Sequence, residues 1–220
     1  MELIIALDGI DKKSAVELAS KLSDQVWGFK VNDLLLEEGF SIIKELRKYG
    51  KVFADPKLHD IPNTVKNSVK KLADTGVSLI TVHASGGPRM IEEAVRNSSG
   101  AEILAVTILT SFSPEETSAV YGVSNTKDKV LELGKLAESA GAHGIVCSPL
   151  ELELLKKGLK KVYFLTPGIR LSRDTSDDQR RVMTPKEAKD GGAKYIVVGR
   201  PITESDDPQL VTQEIIKSIT

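Results

Sequence analysis

Eight times along this chain a short apolar run is followed by a stretch of helical periodicity. The apolar runs lie at 3–7, 27–31, 52–54, 79–82, 103–108, 144–147, 162–165 and 195–198. Helical patterns follow at about 12–24, 33–48, 61–75, 87–97, 126–140, 149–157, 184–190 and 204–218, read from apolar residues recurring at three- and four-residue spacing. Strands that alternate with helices pair in parallel, because a parallel neighbour needs a long crossover. Eight such units in 220 residues predict an α/β fold, a (β/α)8 TIM barrel, with 1–220 as one domain. An open doubly wound sheet is the competing architecture. Against it, Asp8-Gly9-Ile10-Asp11 follows the first run where a Gly-x-Gly-x-x-Gly turn is expected. Ser113-Pro114-Glu115-Glu116 reads as the start of an additional short helix, with an N-cap serine and proline at the first helical position.

Side chains on a strand alternate between faces, which tests the barrel. In the second strand, Trp27, Phe29 and Val31 are expected against the helices, and Gly28, Lys30 and Asn32 towards the axis. In the third, Val52, Ala54 and Pro56 face the helices, while Phe53, Asp55 and Lys57 point inward. Pro56 predicts that this strand ends or becomes irregular there, since proline removes a ladder hydrogen bond. The inward charges gather near the C-terminal strand ends, where barrel enzymes carry their active sites.

Asp55 and Lys57 stand two apart in the run Asp55-Pro56-Lys57-Leu58-His59-Asp60-Ile61-Pro62-Asn63-Thr64. Taken alone, such a pair is equally a salt bridge anchoring a loop. Lys30 on the neighbouring strand and Asp8 at the end of the first shift the balance towards a functional array. Buried charges persist only when paired, and nearby carboxylates favour a protonated lysine. A positioned ammonium can protonate a carbanion as it forms.

A second constellation suits an anion. Gly199-Arg200-Pro201 ends the eighth strand, and Thr166-Pro167-Gly168-Ile169-Arg170 ends the seventh. Barrels often bind phosphate with these two loops; glycine admits a backbone N–H and arginine offers a fork of donors. The segment 168–182, rich in Arg, Asp and Ser, is long for a compact domain and reads as a lid or binding loop or as plain solvated loop. Gln179 and Arg180 lie late in it. Thr110-Ser111 after the fifth strand either binds a polar ligand edge or caps the next helix. The three histidines, His59, His83 and His143, have no metal-ligand spacing. His83 could line the cavity, though a structural hydrogen bond is the favoured reading, and Ser85-Gly86-Gly87 starts a helix more readily than it nests an anion.

Charge and composition narrow the partners. Lys+Arg of 30 against Asp+Glu of 31 leaves a net charge of −1, with no basic excess for nucleic acid or an anionic membrane. Cys147, the single cysteine, is read as core and rules out a disulfide within the chain. No signal peptide or membrane span is expected, which predicts a cytoplasmic protein.

The order of these pieces resembles the orotidine 5′-phosphate decarboxylase family of bacterial type. Ala6-Leu7-Asp8, Phe29-Lys30-Val31, the Asp-x-Lys-x-x-Asp-Ile-Pro-Asn-Thr run at 55–64, Leu109-Thr110-Ser111, Thr166-Pro167-Gly168-Ile169-Arg170, Asp178-Gln179-Arg180-Arg181 and Val198-Gly199-Arg200-Pro201 carry it over the whole chain. The resemblance implies conversion of orotidine monophosphate to uridine monophosphate, with Lys57 as general acid and Asp55 beside the departing carboxylate. It implies a charge network of Lys30, Asp55, Lys57 and Asp60, with Asp60, Ile61 and Thr64 entering the active site of a second subunit in a homodimer. Asp8 and Lys30 would hold the ribose, Thr110 the pyrimidine, and Pro167, Arg170, Gln179, Gly199 and Arg200 the rest of the nucleotide and its phosphate. Neither metal nor organic cofactor is implied. Pro56 departs from the apolar residues many relatives carry, and Asn32 stands where glycine is more usual.

Two rivals share the scaffold. A Mg²⁺-dependent sugar-phosphate decarboxylase or synthase also carries Asp-x-Lys-x-x-Asp, but has an acidic metal ligand at the place of Lys30. A non-catalytic nucleotide-phosphate sensor would need the phosphate loops without the lysine–aspartate array.

Overall fold

In the computed structural model, which describes residues 1–171 and 183–220, eight parallel strands close into a barrel in the order β1 to β8. In chain order the elements are β1 (Glu2–Ala6), α1 (Lys12–Leu22), β2 (Gly28–Val31), α2 (Asp33–Glu38), α3 (Ser41–Leu46), β3 (Lys51–Leu58), α4 (Pro62–Ala73) and β4 (Leu79–His83). They continue with α5 (Pro88–Arg96), β5 (Glu102–Val106), α6 (Pro114–Tyr121), α7 (Thr126–Ser139), β6 (Gly144–Val146), α8 (Leu152–Gly158), β7 (Tyr163–Thr166), α9 (Pro185–Gly191), β8 (Tyr195–Val198), α10 (Arg200–Thr203) and α11 (Pro208–Ile219).

Two apolar layers follow from strand alternation. Leu3, Ile5, Phe29, Val31, Val52 and Ala54 point outward into a large core shared with the helices. Ile4, Ala6, Phe53, Leu79, Leu104, Leu165, Tyr195 and Val197 fill the barrel interior. Trp27 belongs with this interior group and not with the helix face expected for it. It precedes β2, outside the ladder's alternation, and its ring meets Tyr195 edge-on at 5.0 Å. Tyr195 in turn meets Tyr163 at 5.5 Å. These rings pack together at the N-terminal end of the barrel.

Local chemistry sets the helix boundaries. Asp11 caps α1 by accepting from the Ser14 N–H at 2.8 Å. Ser113 and Glu116 form a capping box at the start of α6, which confirms the extra helix, and Thr184 with Glu187 does the same for α9. The helix expected over 33–48 is instead two helices, α2 and α3, because Gly39 takes a positive φ of 58° between them. The last helix starts at Pro208, later than expected, with α10 as a separate short turn directly after β8.

The barrel ladder is regular except at one place. Between β3 and β4, Ala54 pairs with Ile80 and Leu58 with Val82. Asp55, Pro56 and Lys57 therefore lie opposite Thr81 alone. The strand does not end at Pro56, but it bulges there as expected of an unpaired proline.

Candidate active site

The bulge and the neighbouring strand ends bring four charges together. Lys30 comes from β2, Asp55 and Lys57 from the bulged end of β3, and Asp8 from just beyond β1. Lys30 Nζ donates to Asp8 Oδ2 and lies 3.4 Å from Asp55 Oδ2. Lys57 Nζ donates to that same Asp55 oxygen at 2.7 Å. The expected alternation is thus a chain, Asp8–Lys30–Asp55–Lys57, with each inner member touching two opposite charges.

Lys30 and Asp55 are 7% and 6% exposed, so neither can rely on water for solvation. Burial alone pushes the Lys30 ammonium down, but the carboxylates of Asp55 and Asp8 outweigh it and hold its pKa above the ordinary lysine value. Lys57 stands at the open end of the chain and is more accessible, its side chain 32% exposed.

The Lys57 backbone has a φ of 47°, in the left-handed region that a lysine rarely adopts. Such a residue costs on the order of 1–3 kcal/mol and persists where its surroundings over-determine it. Here the Lys57 N–H donates to Thr81 Oγ1 at 2.9 Å. The Thr81 hydroxyl in turn donates to Asp55 Oδ1 at 2.8 Å. On the other flank, Asn32 Nδ2 donates to the Asp55 carbonyl at 2.8 Å. The pattern of charges along the strands points to neither Thr81 nor the contact of Asn32 as part of this array. The signal for Thr81 is its strand parity with Leu79, which turns its hydroxyl inward from the middle of β4.

A cavity of about 480 Å³ opens at the C-terminal end of the barrel. Its floor is Ala6, Phe53, Leu165 and Val197 of the interior core, and the charged chain forms one wall. Thr110, Pro167, Arg170, Gly199 and Arg200 also line it. The loops after β7 and β8 therefore share one cavity with the lysines. A Cβ added at Gly199 would meet Ala6 at an ordinary 3.4 Å, so packing does not demand glycine there. Arg170 is held at the rim by its own N–H, which donates to the Met183 carbonyl at 3.0 Å. Gln179 and Arg180 lie outside the described residues.

Asp60, Ile61 and Thr64 do not line this cavity. All three are exposed, and Ile61 is 67% so, a large apolar side chain turned to solvent at the start of α4. Asp60 Oδ1 accepts from the Ile61 N–H at 2.6 Å.

The histidines divide. His143 Nδ1 accepts from the Ile103 N–H at 3.0 Å, a structural bond between β5 and β6. His83, the last residue of β4, packs against His59 with ring centroids 5.4 Å apart. Burial, then His59 and Lys57, lower the His83 pKa against a smaller opposing effect of Asp55. Ser85 and Gly86 form a tight turn that leads into α5, as expected, and Cys147 is buried core. Among the described residues no group of three or more His, Cys, Asp and Glu side chains is placed to hold a metal ion. Among the same residues no helix is long and apolar enough to cross a membrane.

A family model described as orotidine 5′-phosphate decarboxylase / HUMPS matches residues 1–215. A protein of Dictyoglomus turgidum named orotidine 5′-phosphate decarboxylase is 41% identical over 230 residues, covering 99% of this chain and 94% of that one. One of the same name from a Wolbachia of Culex pipiens is 41% identical over 223 residues, covering 99% and 98%. The crystal structure of orotidine 5′-phosphate decarboxylase from Lactobacillus acidophilus superposes with a TM-score of 0.86 at 37% identity, over 100% of this chain and 99% of that one.

Proposed function

Since this chain belongs to the orotidine 5′-phosphate decarboxylase / HUMPS family, we propose that it converts orotidine 5′-monophosphate to uridine 5′-monophosphate and carbon dioxide, with Lys57 as the proton donor. The observation that carries this reading is that the Asp8–Lys30–Asp55–Lys57 chain lines one cavity together with Gly199 and Arg200. The product serves pyrimidine synthesis, and a chain with one cysteine suits a reducing cytoplasm.

In the proposed reaction the bond from pyrimidine C6 to the carboxylate breaks, and its electron pair stays on C6. The pair lies in the ring plane and gains little from delocalisation, so fixed charges must stabilise it in a site poor in water. Lys57 is the accessible cation of the chain and delivers its proton to C6. Asp55, already bonded to both lysines and to Thr81, holds Lys57 in place beside the departing carboxylate. Asp8 and Lys30 hold the ribose hydroxyls, and Thr110 meets the polar edge of the pyrimidine. Arg200, the Gly199 N–H and Arg170 take the phosphate, with Pro167 lining the site and Gln179 assigned to the same task. Phosphate binding far from C6 supplies energy that can be spent on the transition state.

Asp60, Ile61 and Thr64 are assigned to the active site of a second copy in a homodimer. Their exposure and their absence from this chain's own cavity support that assignment.

The Mg²⁺-dependent sugar-phosphate reading fits less well. Lys30 Nζ contacts both Asp8 and Asp55, the carboxylates a divalent ion at this wall would need. The ammonium occupies that position and repels a dication. Incubation with orotidine 5′-monophosphate, followed by absorbance with and without a chelator, tests the proposal. Substrate loss that is insensitive to chelator is expected. No loss, or loss abolished by chelator, overturns it.

A further inference from the structure

We propose that Thr81 is a positioning residue for this reaction, its hydroxyl holding the Asp55 carboxylate and the Lys57 backbone in one fixed relation. The inference rests on the decarboxylase reading of the site.

Three residues of β3 face a single residue of β4, so ordinary ladder bonds cannot serve Asp55, Pro56 and Lys57. Proline has no N–H to offer. The Lys57 N–H is turned out of the ladder by its positive φ. Buried backbone donors need partners, and the Thr81 side chain supplies this one at 2.9 Å.

A hydroxyl has one proton and two acceptor positions. Accepting from Lys57 leaves that proton for Asp55 Oδ1, at 2.8 Å. The other Asp55 oxygen, Oδ2, is the one shared by Lys30 and Lys57. Thr81 therefore sets the carboxylate's rotation, and through it which oxygen faces the two ammonium groups. The same hydroxyl fixes the backbone from which the Lys57 side chain leaves. Thr81 is fully buried and does not line the cavity, so it acts through these two residues and not on the nucleotide. Asn32, the residue after β2, secures the same residue by donating to the Asp55 carbonyl. Catalytic geometry tolerates little error, and a small displacement of the acid lowers turnover steeply.

Thr81→Val keeps the shape and removes the hydroxyl. It is expected to lower kcat for orotidine 5′-monophosphate about tenfold to a hundredfold, the size of a lost hydrogen bond to a charged group. KM and affinity for uridine monophosphate are expected to stay within about threefold, because no binding contact is removed. Thr81→Ser retains the hydroxyl and should restore kcat to within about threefold of the parent. Should the valine variant fail to fold, Thr81→Ala against Thr81→Ser isolates the same hydroxyl without added apolar bulk. A merely structural role would not split kcat from KM, nor distinguish serine from alanine. A folded Thr81→Val with parental kcat, serine no better than alanine, or a loss carried wholly by KM overturns the inference alone. An inactive parent overturns the decarboxylase reading and this inference with it.

Discussion

Lys57 Nζ and Asp55 Oδ2 lie 2.7 Å apart although their residues are only two positions apart on one strand. In a regular strand both side chains would stand parallel and well separated. The bulge at 55–57, with its positive φ at Lys57, bends the lysine back onto the aspartate. The pair is a product of backbone irregularity, and its orientation depends on what holds that irregularity.

Replacing Lys57 by alanine leaves Asp55 with Lys30 and Thr81 as partners, so the fold should survive. Uridine monophosphate should still bind, since the ribose and phosphate contacts remain. Decarboxylation is expected to fall by at least about a hundredfold, the lower range for losing a general acid. Single-turnover decarboxylation near the parental rate would refute Lys57 as proton donor.

Arg200 follows Gly199 at the end of β8 and lines the same cavity as the lysines. Arg200→Ala should weaken uridine monophosphate binding about tenfold to a hundredfold, as expected for a charge-assisted contact with phosphate. Uridine without its phosphate should lose nothing. Titration calorimetry with both ligands checks this, and equal affinities of parent and variant for the monophosphate would remove Arg200 from the site.

If Asp60 completes a neighbouring site, two inactive variants should rescue each other. Mixing Lys57→Ala with Asp60→Ala chains, and allowing subunits to exchange, gives hybrid dimers in which one site lacks both residues and the other has both. Activity should rise well above that of either variant alone. Activity no greater than the sum of the separate variants would place Asp60 in its own chain's site or in none.

His83 is partly buried, with His59, Lys57 and Asp55 around it, and its folded pKa lies below the ordinary 6.5. Below 6.5 the unfolded chain therefore binds more protons at this position than the folded one. Its contribution to stability is complete above 6.5 and is lost as pH falls through the folded value. Chemical denaturation of His83→Gln should show a shallower loss of stability below pH 6.5 than the parent shows. Identical slopes would mean that His83 does not titrate differently on folding.

Much of the site was legible because strand periodicity converts spacing into direction. Asp55, Lys57 and Lys30 have the parity of the barrel axis, and all three line the cavity. Arg200 and Gly199 follow the last strand, and a barrel places that loop at the same mouth. Trp27 departs from its expected face because parity holds only within a paired strand, and Trp27 lies just outside one. The apolar spacing over 33–48 continues across Gly39 and so predicts one helix, but the backbone conformation of Gly39 interrupts it.

The sequence by itself determined the eightfold alternation, the barrel it implies, and the residues that enter the mouth, because these follow from periodicities of two and 3.6. Only the tertiary structure decided how Asp55 and Lys57 meet. That depends on the pairing register of β3 against β4, which brings Thr81 opposite three residues at once. Register is a relation between strands about twenty-five residues apart, set by packing of the whole barrel, and no local pattern encodes it.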